Sequence, residues 1–241
     1  MRSFVDIHSH WLPGVDDGVP TAQDSVELLR ALRRLGFQRV CATPHMRTGL
    51  FDNTSRDLIR AFERVQPILD EADGLPEVAL GCEHHLDDIV FQRLVDGEGL
   101  PYPAGNTALI ELPYDHFPAK LLERLHELRM KRIRPVLAHP ERYRPVWRDM
   151  EILEPLLDGG TVLQLDVGAL AGQYGRHTRR SAEQLADAGY YYCASSDAHR
   201  VKDLGYVDKG IRRLFDLMGQ EEAEFLLAEG PASVLDGQVT D

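Results

Sequence analysis

The sequence predicts one α/β domain over residues 1–241, an irregular (β/α)7 TIM-like barrel. Three observations lead there. Strand-like apolar runs alternate with amphipathic helical segments seven times, with no linker or low-complexity tract between them. The conspicuous His, Asp and Glu residues fall at or just after the C-terminal ends of those strands, where barrel enzymes place their chemistry. They come from five or more strands, whereas an open doubly wound sheet gathers its site at one switch point.

Composition bounds the reading. The 241 residues are 43% hydrophobic and 27% charged, ordinary for a globular chain long enough to bury a core. A formal net charge of -12 argues against a nucleic-acid partner, which is usually met by a basic face. Bound cations would offset part of that charge. No apolar run is long enough for membrane insertion, and Met1-Arg2-Ser3-Phe4 leads straight into a strand rather than a secretory leader. The three cysteines sit in or beside predicted strands and read as buried thiols of a cytoplasmic protein.

In chain order, Val5-Asp6-Ile7-His8-Ser9-His10 is the first strand. Residues two apart share a strand face, so Asp6, His8 and His10 point one way and Val5 and Ile7 the other. Two imidazoles at a strand end are well placed to grip a metal. A turn-rich loop over 12–18 follows, with Asp17 the favoured further ligand. Thr21 caps a helix whose apolar stripe is Val26, Leu29, Leu32 and Leu35, and Gly36 ends it. The second strand, 40–43, ends in Pro44-His45. A helix over 55–72 turns Leu58, Phe62, Val65 and Leu69 inward, with a kink expected at Pro67. The third strand, 78–83, closes on Glu83; His84 and His85 beyond it lie outside the ligand pattern, with lining of the site mouth as their secondary reading. After a short helix over 88–95, the fourth strand, 108–113, carries Glu111 in an apolar run. That acid is costly there unless paired or bound to a metal.

A helix over 119–131 leads to the fifth strand, 134–139, which ends at His139 and runs into Pro140-Glu141-Arg142-Tyr143. A helix over 148–158 stops at Gly159-Gly160, and the sixth strand covers 161–167. Tyr174 lies in a glycine-rich loop of the kind that shapes access to a barrel mouth. A helix over 178–188 precedes the seventh strand, 190–195, closed by Ser196-Asp197-Ala198-His199. Helices over 206–218 and 221–228 finish the chain. His116, His126 and His177 lie outside the pattern.

Seven of these segments, in series, resemble the polymerase and histidinol phosphatase (PHP) superfamily. They are Asp6 to His10, Leu12 to Gly18, Ala42-Thr43-Pro44-His45, Gly81-Cys82-Glu83, Ile110-Glu111-Leu112-Pro113, Ala138 to Tyr143, and Ser196 to His199. The Asp16-Asp17-Gly18 loop and the His139–Tyr143 run point, within it, to the bacterial manganese-dependent tyrosine phosphatases encoded with capsule and exopolysaccharide genes. The resemblance implies three divalent metal ions, Mn2+ first, with Fe or Zn as options. His8, His10, Glu83 and Asp197 would hold one. Glu83 would bridge to a second, held also by Glu111 and His139, and Asp17, His45 and His199 would take the third. Imidazole and carboxylate donors without thiolates suit these metals. Cys82 departs from the polar residue often found there and is expected to point away from Glu83.

The implied reaction is hydrolysis of a protein phosphotyrosine, with a bacterial tyrosine kinase of exopolysaccharide synthesis as the expected partner. Metal-activated water would attack phosphorus in line. Four carboxylates against three dications leave a net positive site, suited to a dianionic phosphate. Arg142 is the expected phosphate clamp, because a guanidinium can bind two oxygens at once. Arg47 and Arg200, each just past a ligand, are further candidates that read equally well as solvated surface charges. Asp17 and His199 are the candidates for a general acid, although a phenol of pKa about 10 leaves with little help. Two other functions compete: a small-molecule phosphatase acting on histidinol phosphate or a sugar phosphate, and a non-catalytic module that docks a kinase. Cys41 and Arg47 fit the Cys-x5-Arg spacing of cysteine-dependent phosphatases. Pro44 removes a backbone donor from that loop and no glycine lies within it, so the match reads as chance.

Overall fold

The computed structural model describes residues 3–239, so the Met1-Arg2 pair read above lies outside the described residues. Nine strands are found among the described residues. They are β1 (Phe4–Asp6), β2 (Phe37–Ala42), β3 (His45–Met46), β4 (Glu77–Leu80), β5 (Glu83–His85), β6 (Thr107–Glu111), β7 (Arg134–Ala138), β8 (Val162–Asp166) and β9 (Cys193–Ser195). All pair in parallel, in a sheet of order β1-β2-β4 and a second of order β3-β5-β6-β7-β8-β9.

These nine strands occupy seven positions around a ring. β2 and β3 are halves of the second predicted strand, broken at Thr43-Pro44, where proline offers no N–H to a ladder. β4 and β5 are halves of the third, broken at Gly81-Cys82. Backbone bonds from Gly81 N–H to the Ala42 carbonyl (2.8 Å) and from Glu83 N–H to the Pro44 carbonyl (3.1 Å) carry pairing across both breaks. The ring closes where Ser9 bridges Ala198, with Asp197 N–H on the His8 carbonyl and His10 N–H on the Ala198 carbonyl, each at 2.9 Å. The seven-stranded barrel is therefore irregular, assembled from two interrupted sheets.

Two predicted strands shrink. The first keeps ladder pairing only over Phe4–Asp6, because the Asp6 carboxylate draws in the amides of His8 (3.3 Å) and Ser196 (3.0 Å). The seventh, expected from Tyr190, is limited to Cys193–Ser195. The helices also differ in places. Helix Ser55–Asp70 runs through Pro67, which sits in its last turn. The predicted helix over 148–158 is broken, with Arg144–Arg148 and Glu154–Asp158 separated by a 3-10 turn. Pro145 and Pro155 each open a new helix, and Asp149 caps the turn between them by accepting from Glu151 N–H at 3.0 Å. The last long helix, Leu204–Glu224, is interrupted at Gly219 (φ 80°). It is followed by a helix, Gly230–Leu235, that the sequence reading did not anticipate.

One apolar layer surrounds the ring and a second fills it. Leu28, Leu29 and Leu32 of the first helix pack with Val40, Ala42, Ile110 and Leu137 in the larger one. The smaller joins Val5, Ile7, Cys41, Leu109, Val136 and Cys193, from strands all around the ring, as side chains filling a barrel do. One step further along those strands the filling turns polar, and the site begins.

Candidate metal centre

The nine side chains expected as ligands come together at the C-terminal ends of the ring. Their donor atoms form four groups, each within 4.8 Å: His10, Asp17, His45 and His199; His8, His10 and Asp197; His8, Glu83 and His139; and His45, Glu83 and Glu111. Strand register does part of this, since parallel pairing sets His45 beside Glu83 and His85 beside Glu111. Two members stand on left-handed backbone, His139 at φ 35° and Asp197 at φ 46°. For residues other than glycine such a conformation costs about 1–3 kcal/mol and is kept where surrounding structure imposes it.

The imidazoles are aimed from behind. His8 Nδ1 lies 2.9 Å from Gln164 Oε1, His10 Nδ1 lies 2.7 Å from Asp16 Oδ2, and His199 Nδ1 lies 2.9 Å from the Asp197 carbonyl. With each Nδ1 bonded outward, each Nε2 faces the cluster, carrying a proton in the charged ring and offering its lone pair once a cation replaces that proton. The Nε2 atoms of His8 and His10 are 3.3 Å apart, and each is 3.3 Å from Asp197 Oδ1. Asp197 Oδ1 is itself buried with no hydrogen-bond partner. Two lone-pair nitrogens around a bare buried carboxylate oxygen fit a cation, and the imidazole–carboxylate donor set fits a divalent one.

The charges agree. Burial opposes ionisation of Glu83 and Asp197, yet the positive charge of the His8 ring outweighs it and holds both well below the usual carboxylate range. Burial likewise disfavours the His8 cation, but Glu83 and Asp197 push it up to about 9. A hydrogen bond from His199, against partial burial, brings half-exposed Asp17 down to about 2. The cluster is an anionic nest that holds positive charge.

A cavity of about 240 Å³ opens over the cluster, walled by Arg47, Leu50, Phe51, Tyr114 and Arg142. Arg142 reaches it with Nη1 2.6 Å from Asp197 Oδ2 and Nη2 2.6 Å from the Tyr114 hydroxyl, and its guanidinium carbon stands 4.3 Å over the Tyr174 ring. Phe51 stacks on His45, with rings nearly parallel and centroids 5.3 Å apart. Arg200 is not among the residues lining this cavity. Its guanidinium is drawn to the Asp17 carbonyl at 3.2 Å, and it lines a separate groove beside Val19 and Asp24.

One other expectation is corrected, and the reading of Cys41 as a buried thiol holds. His84 is fully buried rather than at the mouth, bonded to the Leu109 carbonyl at 2.8 Å and the Leu100 amide at 3.0 Å, and burial pushes it down to about 4. Cys41 sits in the barrel filling, fully buried, and burial raises its thiol far above its ordinary pKa. It therefore forms no nucleophile loop with Arg47. Cys82 is packed in the larger apolar layer.

Sequence reasoning missed Asp16, Gln164 and Tyr114. Asp16 carried a signal, as the neighbour of Asp17 in an Asp-Asp-Gly turn, but spacing does not say which acid is buried. The Gln164 and Tyr114 contacts are made across the ring and carried no local signal.

A ring of parallel strands with a cluster of imidazole and carboxylate donors at its C-terminal mouth defines an α/β barrel whose site can hold metal. At the level of fold alone, a phosphotriesterase homology protein from Escherichia coli superposes with a TM-score of 0.62 at 13% identity, covering 98% of this chain and 99% of that one. A family model described as capsular polysaccharide synthesis, CpsB/CapC, matches residues 4–236. The tyrosine-protein phosphatase YwqE of Bacillus subtilis is 30% identical over 235 residues, 98% of this chain and 92% of that relative. The tyrosine-protein phosphatase CpsB of Streptococcus pneumoniae is 24% identical over 242 residues, 98% of this chain and all of that one. A crystal structure from work on YwqE and CpsB as unique metal-dependent tyrosine phosphatases matches with a TM-score of 0.90 at 31% identity, covering 98% of this chain and 96% of that one. The chain belongs to the CpsB/CapC family of capsular polysaccharide synthesis.

Proposed function

We propose that residues 1–241 act as one catalytic domain, a metal-dependent phosphomonoester hydrolase that removes phosphate from protein phosphotyrosine. A bacterial tyrosine kinase of capsule or exopolysaccharide synthesis is the proposed substrate. The observation that supports this most is the juxtaposition of nine convergent donors with the Arg142 guanidinium in a cavity walled by Leu50, Phe51 and Tyr114. The names of the relatives YwqE and CpsB support the same reading.

His8, His10, Glu83 and Asp197 would hold one ion, Glu83 with Glu111 and His139 a second, and Asp17, His45 and His199 a third, with manganese the proposed metal. The ions, when bound, supply Lewis acidity that lowers the pKa of water and offsets phosphate charge. Arg142 turns from Asp197 to the phosphoryl oxygens while Nη2 keeps its bond to the Tyr114 hydroxyl, and its remaining N–H groups bind the phosphate. Arg47, half-buried at the rim, adds a second positive charge. Leu50, Phe51 and Tyr114 give an aromatic ring an apolar flank that a sugar phosphate would leave unused. A phosphotyrosine on a flexible tail reaches such a pocket readily. The three free, buried cysteines suit a reducing cytoplasm, and no helix among the described residues is long and apolar enough to cross a membrane.

The test is hydrolysis of para-nitrophenyl phosphate, a phosphotyrosine peptide and histidinol phosphate after chelation, with manganese added back stepwise. Activity lost on chelation, restored by manganese and greatest on the peptide is the expected result. Activity that survives chelation overturns the metal assignment. A preference for histidinol phosphate replaces the protein substrate with a small molecule. A metal-loaded protein inert on all three is a docking module.

A further inference from the structure

The cavity contains one polar group that neither the donor cluster nor Arg142 uses up, the hydroxyl of Tyr114. Tyr114 lies three residues beyond Glu111, is 38% exposed and lines the cavity. Its position is well fixed. Arg144 N–H donates to its carbonyl at 2.8 Å, and its ring packs against Tyr143 with centroids 6.0 Å apart. Tyr143 is anchored in turn, accepting from Leu112 N–H at 3.1 Å and donating to the Ala138 carbonyl at 3.0 Å.

The direction of the Arg142–Tyr114 bond matters. A guanidinium only donates, so the Tyr114 oxygen must accept from Arg142 Nη2 at 2.6 Å. Its own hydrogen is left to point elsewhere. Among the described residues nothing accepts it. Arg142 also polarises the phenol, which makes that O–H a better donor.

We propose that Tyr114 is a substrate-binding residue, its O–H donating to a nonbridging phosphoryl oxygen beside the Arg142 guanidinium. The proposal rests on the reading of this cavity as a phosphoester site. Tyr114 and Arg142 then form one anion-binding unit, in which the arginine supplies the charge and the phenol a fixed neutral donor. The ligand class is any phosphate monoester or inorganic phosphate, since a nonbridging oxygen is common to all of them.

The experiment is calorimetric titration of inorganic phosphate into manganese-loaded protein, which needs no turnover. Tyr114→Phe deletes the hydroxyl and keeps the ring. It is expected to weaken phosphate binding about tenfold, the effect of losing one hydrogen bond to a charged group, with manganese content and melting temperature unchanged. The same comparison is made in an Arg142→Ala background. A direct donor still costs about tenfold there, whereas a residue that merely positions Arg142 costs nothing more. Unchanged phosphate affinity in Tyr114→Phe, or a loss that vanishes in the Arg142→Ala background, overturns the inference while the phosphoester reading stands. A wild-type protein that binds no phosphate sinks the reading and the inference together.

Discussion

Asp16 Oδ2 lies 2.7 Å from His10 Nδ1, and the same oxygen accepts the backbone N–H of His45 at 3.1 Å. One fully buried carboxylate thus orients two of the nine convergent donors, while its other oxygen takes Gly18 N–H at 2.9 Å and shapes the turn that presents Asp17. Asp16→Asn keeps the size, but its single acceptor oxygen can hold only one of the two amides, and it loses the charge that favours the Nδ1–H tautomer of His10. Such supporting partners typically carry about 10- to 100-fold in metal affinity. The variant is expected to weaken manganese binding by about that factor with the fold intact, read by competition against a fluorescent chelator. Unchanged affinity would show that His10 keeps its orientation without the acid.

Metal removal should be visible in stability as well as in activity. A ligand that binds only the native state at 100 times its Kd adds about 2.7 kcal/mol. For a chain of this size that corresponds to a rise in Tm of about 5–10 °C. Manganese is expected to produce such a shift by calorimetry, and Glu83→Gln to abolish most of it, because Glu83 belongs to two of the four donor groups. A melting temperature indifferent to manganese would mean that the cluster is held by its own hydrogen bonds and protons.

The Cys41 thiol offers a clean negative. It is fully buried beside Tyr102 in the barrel filling and held neutral by burial. Native protein is expected to resist iodoacetamide at Cys41, mapped by peptide mass. Cys41→Ala is expected to keep activity within about twofold and to lose about 1 kcal/mol of stability. Inactivation by alkylation at Cys41 would restore the cysteine-dependent alternative.

These cases show what could be read from the chain and what could not. Strand ends were legible because polar residues there interrupt apolar runs: His8 and His10, His45, Glu83, His139 and Asp197 each close such a run. The ring order followed from alternation of strand and helix. The breaks at Thr43-Pro44 and Gly81-Cys82 fall on local signals, a proline without a ladder N–H and a glycine that weakens a strand, but the apolar runs around them masked both. The roles of Asp16, Gln164 and Tyr114 were missed for another reason. Their roles are contacts between residues 6, 156 and 28 positions apart, and only one of those spans is local. His84 was misread because adjacent strand residues point to opposite faces. With Glu83 in the cluster, its neighbour had to enter the core.

That buried His84 gives the chain a pH dependence with a definite sign. Its imidazole donates from Nδ1 to the Leu109 carbonyl and accepts the Leu100 amide at Nε2, so only the neutral ring satisfies both partners. Burial lowers its pKa from 6.5 to about 4, so between these values the unfolded chain binds a proton that the folded one does not. Stability therefore falls as pH drops through this window and is unaffected by His84 above it. The linkage amounts to about 2 kcal/mol at pH 5 relative to pH 7. Urea unfolding of chelator-treated protein at the two pH values checks it, with metal ligation removed from the comparison. His84→Gln retains one donor and one acceptor but does not titrate, so it is expected to lose about 2 kcal/mol less than wild type on acidification. Equal losses in the two proteins would show that His84 is protonated in the fold, and that the Leu100 amide has found another acceptor.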